Sequence, residues 1–181
     1  EQIHDYCNHI ESYRQRKIDR IIVTLNQNEI NKLKELVNLS YELENIRKWF
    51  LLGLNIGQRI SDVLKITPQN LRQAPSGGMY LDLIQIKTKK PITVGIIDPT
   101  VLEFLRRDFP QKTNPSVFNK KIKELCRLAG IDQVIKGNKM SSVTKRVEFG
   151  MYPKYELITS HTMRRSFATN YFGKIETPIL M

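Results

Sequence analysis

Cysteine is nearly absent: Cys7 and Cys126 are the only two in 181 residues, far apart in the chain and each without a second cysteine near it. That excludes a disulfide framework and a structural zinc site, and it fits a reducing, cytoplasmic setting. Histidine is scarce too, and nothing around His4 or His9 marks them as ligands. No apolar run approaches the length of a membrane span, and the opening residues carry no secretory signal. The carboxylates form no cluster, which removes a two-metal nuclease site, so neither metal nor cofactor is expected. Acidic residues are the minority, 18 against 29 Lys and Arg, leaving a net charge of +11 and a pI near 9.7. An excess of that size points to a polyanionic partner, with nucleic acid first. Trp49, the one tryptophan, lies in an apolar stretch and reads as packing, not as a stacking platform.

What is present is a globular composition, 40% hydrophobic and 26% charged, sized for one domain with a fragment of a second at one end. Residues 1 to 20 read as a polar helix with Ile3, Tyr6, Ile10 and Tyr13 along one stripe. Asn26 with Glu29 forms a capping-box pattern, opening a helix whose Ile30, Leu33, Leu36 and Val37 face inward. A second helix over 42–55 carries a broad apolar face, ends near Gly57, and hands over through Arg59 to a short helix near Ser61. Turn residues Pro75, Ser76, Gly77 and Gly78 precede a strand over 79–87, a Lys-Thr-Lys-Lys-Pro turn and a second strand over 92–97. Asp98-Pro99 starts a helix with Val101, Leu102 and Leu105 inward, and another over 116–129 stops at Gly130. The basic residues of that last helix (Lys120, Lys121, Lys123 and Arg127) are either a DNA-backbone stripe or a solvated face. Residues 131–158 are polar, with one short strand expected over 143–149. The fold class is therefore mainly α with a small antiparallel β-sheet (α+β).

The chemistry concentrates near the end of the chain. Ser160 reads as an N-cap and Gly173 as the residue past a helix end. Between them His161 and Arg164, three apart, share a helix face beside an N-terminus whose N–H groups favour an anion. Upstream, Arg59 stands at a helix corner, in the setting Gly57-Gln58-Arg59-Ile60-Ser61-Asp62, where a fixed backbone suits bidentate phosphate recognition. Lys87 opens the hairpin turn. By itself it would be an ordinary exposed lysine.

In type, order and spacing, Arg59 in its Gly-x-Arg-x-Ser-Asp setting, Lys87 in Ile86-Lys87-Thr88-Lys89-Lys90, and the His161-x-x-Arg164 pair resemble the motifs of tyrosine recombinases, the phage and mobile-element integrases. The resemblance covers roughly residues 25 to 181. It implies a recombinase catalytic domain over residues 23–181, preceded in 1–22 by the tail of a DNA-clamping domain or its linker. It implies that Lys87, in preference to Lys89 or Lys90, is the hairpin lysine that reaches the active site. The activity implied is site-specific recombination or integration of double-stranded DNA, in tetramers on paired sites, through a 3′-phosphotyrosyl intermediate.

If Arg59, Lys87, His161 and Arg164 converge on one phosphodiester, two guanidiniums hold the non-bridging oxygens, the imidazole takes the proton of the attacking hydroxyl, and the lysine protonates the leaving 5′ oxygen. The nucleophilic tyrosine and a Gly-His (or Trp) motif follow the His-x-x-Arg helix in the family. Tyr152, Tyr155 and Tyr171 do not match that position. Thr177-Pro178 reads as the opening of a further helix, so the catalytic domain is expected to be incomplete at its C-terminus. Two positions depart from the family pattern. Gln58 stands where an apolar residue usually precedes the arginine, and Arg165 stands where many relatives have histidine. Arg165 is expected to meet a backbone carbonyl or a carboxylate, and Asp62 to partner a helix end or a basic residue. Two rival readings are a non-catalytic DNA-binding protein with a recombinase-like shell and a basic helical domain in which the motifs coincide by chance.

Overall fold

A computed structural model describes residues 21–73, 78–141 and 143–174. The helix expected over 1–20, the turn residues Pro75, Ser76 and Gly77, and the opening at Thr177-Pro178 lie outside the described residues.

Helix α1 (Gln27–Glu35) starts at the Asn26–Glu29 capping box, each side chain bonding the other's backbone N–H. It buries Ile30 and Leu33 but ends before Val37, which is 75% exposed; the inward face is one turn shorter than its sequence pattern suggests. Helix α2 (Tyr41–Ile56), capped by Ser40, is the axis of the molecule. Its apolar residues run round most of its circumference, so it is covered on several sides, and Trp49, Phe50 and Leu52 are sealed from solvent. The Trp49 indole N–H donates to the Gln111 carbonyl at 2.7 Å, and the ring meets Phe109 edge-on, which makes it a packing residue.

After α2 come the one-turn helix α3 (Ile60–Val63) and a sheet in the order β1 (Leu71–Gln73), β2 (Met79–Ile84), β3 (Pro91–Ile96). All pairs are antiparallel, with Met79 opposite Ile96 and Ile84 opposite Pro91. Leu81 and Leu83 point into the core, while Tyr80 and Ile84 face out. Helix α4 (Pro99–Arg107) is capped by Asp98, and α5 (Pro115–Leu128) by Asn114. Their Val101, Leu105, Phe118, Ile122 and Leu125 join the α2 core.

A whole hairpin, β4 (Val134–Met140) and β5 (Val147–Pro153), occupies the region in which one short strand was expected over 143–149. Glycines sit opposite each other at Gly137 and Gly150, and apolar side chains face solvent: Val134, Met140, Val147, Phe149 and Met151 are exposed. Gly137 allows Leu157 to lie directly on the strand, since a Cβ there would stand 2.3 Å from the leucine. Helix α6 (Lys154–Leu157) then leads into α7 (Ser160–Tyr171). The described residues are thus mainly helical with small antiparallel sheets, two where one was expected. Among them no helix is long and apolar enough to cross a membrane.

Candidate functional site

Two contacts between α2 and α7 fix the site. A Cβ on Gly53 would meet the Met163 sulfur at 2.2 Å, and one on Gly57 would meet the Phe167 ring at 2.3 Å. The two glycines form a groove, and residues one turn apart on α7 fill it. Gly57 also closes α2 in the left-handed conformation (φ 64°) with its N–H on the Gly53 carbonyl, a geometry that a side chain resists. From the other side, the Ser166 hydroxyl accepts the Leu25 N–H at 2.8 Å, and Asn170 donates to the Leu25 carbonyl at 3.0 Å. Helix α7 is therefore held between the C-terminus of α2 and the extended chain entering α1.

This packing brings Arg164 onto the corner after α2. Its Nη1 donates to the Gly57 carbonyl at 3.1 Å, across 107 residues of sequence. Arg59 is the N-cap of α3, in extended conformation. Arg59 and Arg164 both line one cleft of about 700 Å³ between the β2–β3 hairpin and α7. Gln58, Gln85, Thr88 and Lys90 supply further polar wall, and Ile56, Val94 and Phe167 supply apolar wall. No carboxylate is among the described residues that line the cleft.

The other two candidates stand at its margin. Lys87 is exposed in the loop between β2 and β3 and is not on the wall, although Thr88 and Lys90 are. His161 is exposed in the first turn of α7, three residues before Arg164 and likewise off the wall. The structure brings the two arginines together and leaves the lysine and the histidine beside them. Lys90, passed over in favour of Lys87, faces the cleft. Gln58, Gln85 and Thr88 carried no signal in the sequence beyond the oddity of a polar residue before Arg59.

Three local expectations are corrected. The N-cap of α7 is Thr159 and not Ser160, which is the first helical residue and is buried. The Ser160 N–H is taken by Asn119 Oδ1 at 2.8 Å, and the Thr162 N–H by the Thr159 carbonyl at 2.9 Å. The N–H groups at 160 and 162 are thus committed within the protein. Arg165 stands exposed with no hydrogen bond or ion pair among the described residues, because its position on α7 faces away from the packed side. Asp62 partners neither a helix end nor a basic residue. It is buried, with Oδ1 accepting the Ile86 N–H at 2.9 Å, and so ties the hairpin loop to α3.

Tyr171 also lines the cleft, its ring tilted against Phe167 with centroids 4.8 Å apart. Burial, and secondarily the negative charge of Asp98, pushes its phenol above the usual range, which disfavours the phenolate a nucleophile needs. Its place is that of a wall residue.

A scan against protein-family models finds no match, and a search of curated proteins finds none. Solved structures do match, two of them complexes of the XerH site-specific recombinase, one post-cleavage and bound to palindromic difH substrate, the other pre-cleavage and bound to difH substrate. The first has a TM-score of 0.61 and 16% sequence identity, covering 89% of this chain and 45% of that chain. The second has a TM-score of 0.62 and 16% identity, covering 89% and 46%. The chain spans less than half the length of either neighbour. The likeness is one of fold: the described residues adopt the α+β fold of a tyrosine recombinase catalytic domain.

Proposed function

We propose that this chain is the phosphate-holding part of a tyrosine recombinase, an enzyme that breaks and rejoins double-stranded DNA for integration or recombination of a phage or mobile element. The observation that carries the reading is that Arg59 and Arg164 line the wall of one cleft. Two guanidiniums, one on the helix corner at Arg59 and one on α7, suit the non-bridging oxygens of a single phosphodiester. Their charge gains most as the phosphorane-like transition state develops.

In this scheme a tyrosine hydroxyl attacks phosphorus, the bond to the 5′ oxygen breaks, and a 3′-phosphotyrosyl ester stores the bond energy for the reverse step on another strand. Arg59 and Arg164 hold the two non-bridging oxygens. His161, one turn ahead of Arg164, receives the proton of the attacking hydroxyl, and Lys87 delivers a proton to the leaving 5′ oxygen. Four such subunits assemble on paired sites.

The test is a trapping assay with the full-length protein on nicked duplex DNA. A denaturant-resistant covalent adduct is expected, and Arg164→Ala is expected to eliminate it. An adduct of undiminished yield in that variant rejects the assignment. Salt-sensitive DNA binding with no adduct from the unmodified protein selects the non-catalytic DNA-binding shell instead.

A further inference from the structure

Gln58 occupies the position before Arg59 that is usually apolar, and the structure gives it a defined set of partners. Its Nε2 donates to the Ile56 carbonyl at 3.3 Å, one of the carbonyls that the end of α2 leaves without a helical partner. A carbonyl only accepts, so this bond fixes the orientation of the Gln58 amide and turns its Oε1 toward the hairpin. There Oε1 accepts Gln85 Nε2 at 2.8 Å, and Gln85 Oε1 accepts the Thr88 hydroxyl at 2.6 Å. The chain of donors runs one way, from the Lys87 loop through Gln85 and Gln58 into the end of α2.

The loop has few other ties. Gln85 N–H bonds the Lys90 carbonyl, Lys89 N–H bonds the Gln85 carbonyl, and Lys89 itself is left-handed (φ 57°). Apart from the Asp62 bond to Ile86, Gln58 is the side chain shown joining this loop to the Arg59 corner. Gln58, Gln85 and Thr88 all lie on the wall of the cleft.

We propose that Gln58 is a positioning residue: through Gln85 and Thr88 it sets the loop that carries Lys87 and Lys90 against the Arg59 corner. Its link to catalysis rests on the recombination reading; the latch itself does not. An apolar residue at 58 supplies no acceptor, so the loop would have to be held another way.

The experiment is hydrogen–deuterium exchange on this chain, following peptides that cover 85–90. Gln58→Leu and Gln85→Leu are expected to speed exchange at Ile86 and Lys89 by about two- to tenfold, the factor one ordinary hydrogen bond confers on local opening. Gln85→Leu also removes the Thr88 bond, so the double variant is expected to loosen the loop no further than Gln85→Leu alone. Gln58→Glu keeps the acceptor for Gln85 but loses the donor to Ile56, and is expected to recover only part of the lost protection. Thermal melting confirms that each variant remains folded. Loop exchange unchanged in Gln58→Leu, or an additive double variant, overturns the proposal. A second arm adds a short nicked duplex. Protection of 85–90 in the parent, reduced in Gln58→Leu, supports the latch and its catalytic purpose together. Loosening in Gln58→Leu with no DNA-dependent protection in the parent supports the latch and counts against the recombination reading alone.

Discussion

Gly57 carries two constraints at once, and they can be separated by comparison with Gly130. Both are left-handed, at φ 64°, but a Cβ at Gly130 meets nothing within 4 Å, whereas one at Gly57 strikes the Phe167 ring. Gly130→Ala is expected to cost about 1 kcal/mol, from backbone strain alone. Gly57→Ala is expected to cost about 2–4 kcal/mol, strain plus overpacking. Urea unfolding of the two variants measures both. Cys126 offers a second check at this scale. Burial pushes its thiol up to about 12 from an ordinary value near 9.0, so the folded protein holds it protonated. Stability is therefore fully present below pH 9 and falls as the pH rises toward 12, where the unfolded chain releases a proton that the folded one keeps. Tyr171, raised in the same direction, adds to the alkaline loss. A thiol reagent at pH 8 is expected to leave native Cys126 unmodified and to label it on denaturation.

Helix α7 owes its position to a few polar and steric contacts more than to its own apolar face. Ser166 is fully buried, and its hydroxyl is the acceptor shown for the Leu25 N–H. Ser166→Ala strands that donor and is expected to destabilise by about 1–3 kcal/mol in the same unfolding assay. Gly53→Ala acts on the other side. Met163 is sealed from solvent and its sulfur cannot yield freely, so α7 must shift away from α2. The expected result is weaker DNA binding with both arginines still present, measured by fluorescence anisotropy. Unchanged affinity would mean that the α2–α7 spacing does not set the arginine pair.

Charge belongs to the molecule as a whole. A surplus of +11 predicts DNA binding in which log K falls linearly with log salt. Removing one phosphate-contacting cation, by Arg59→Ala or Arg164→Ala, is expected to lower the magnitude of that slope by about one. Arg165→Ala is expected to change it less, because Arg165 faces away from the cleft. An equal effect from all three would indicate diffuse attraction in place of a cleft.

The local code was legible wherever a short stretch decides its own conformation: the Asn26 capping box, the Asp98-Pro99 start, the apolar run of α2, the two strands flanking the Lys87 turn. Arg59, His161 and Arg164 were nominated by residue type and spacing together with the recombinase resemblance, and Lys87 by that resemblance alone. The β4–β5 hairpin was missed because its outward apolar residues and paired glycines give no inward alternation, its inner face being completed by Leu157 from α6. The cap of α7 was misplaced by one residue because Ser160 and Thr159 are both capping types, and Asn119 on α5 decided between them. Only the tertiary structure could put Arg164 on the Gly57 carbonyl, leave Lys87 outside the cleft wall and turn Gln58 toward Gln85. Those are contacts between segments far apart in the chain, set by which side chains two glycines admit, and no local pattern encodes them.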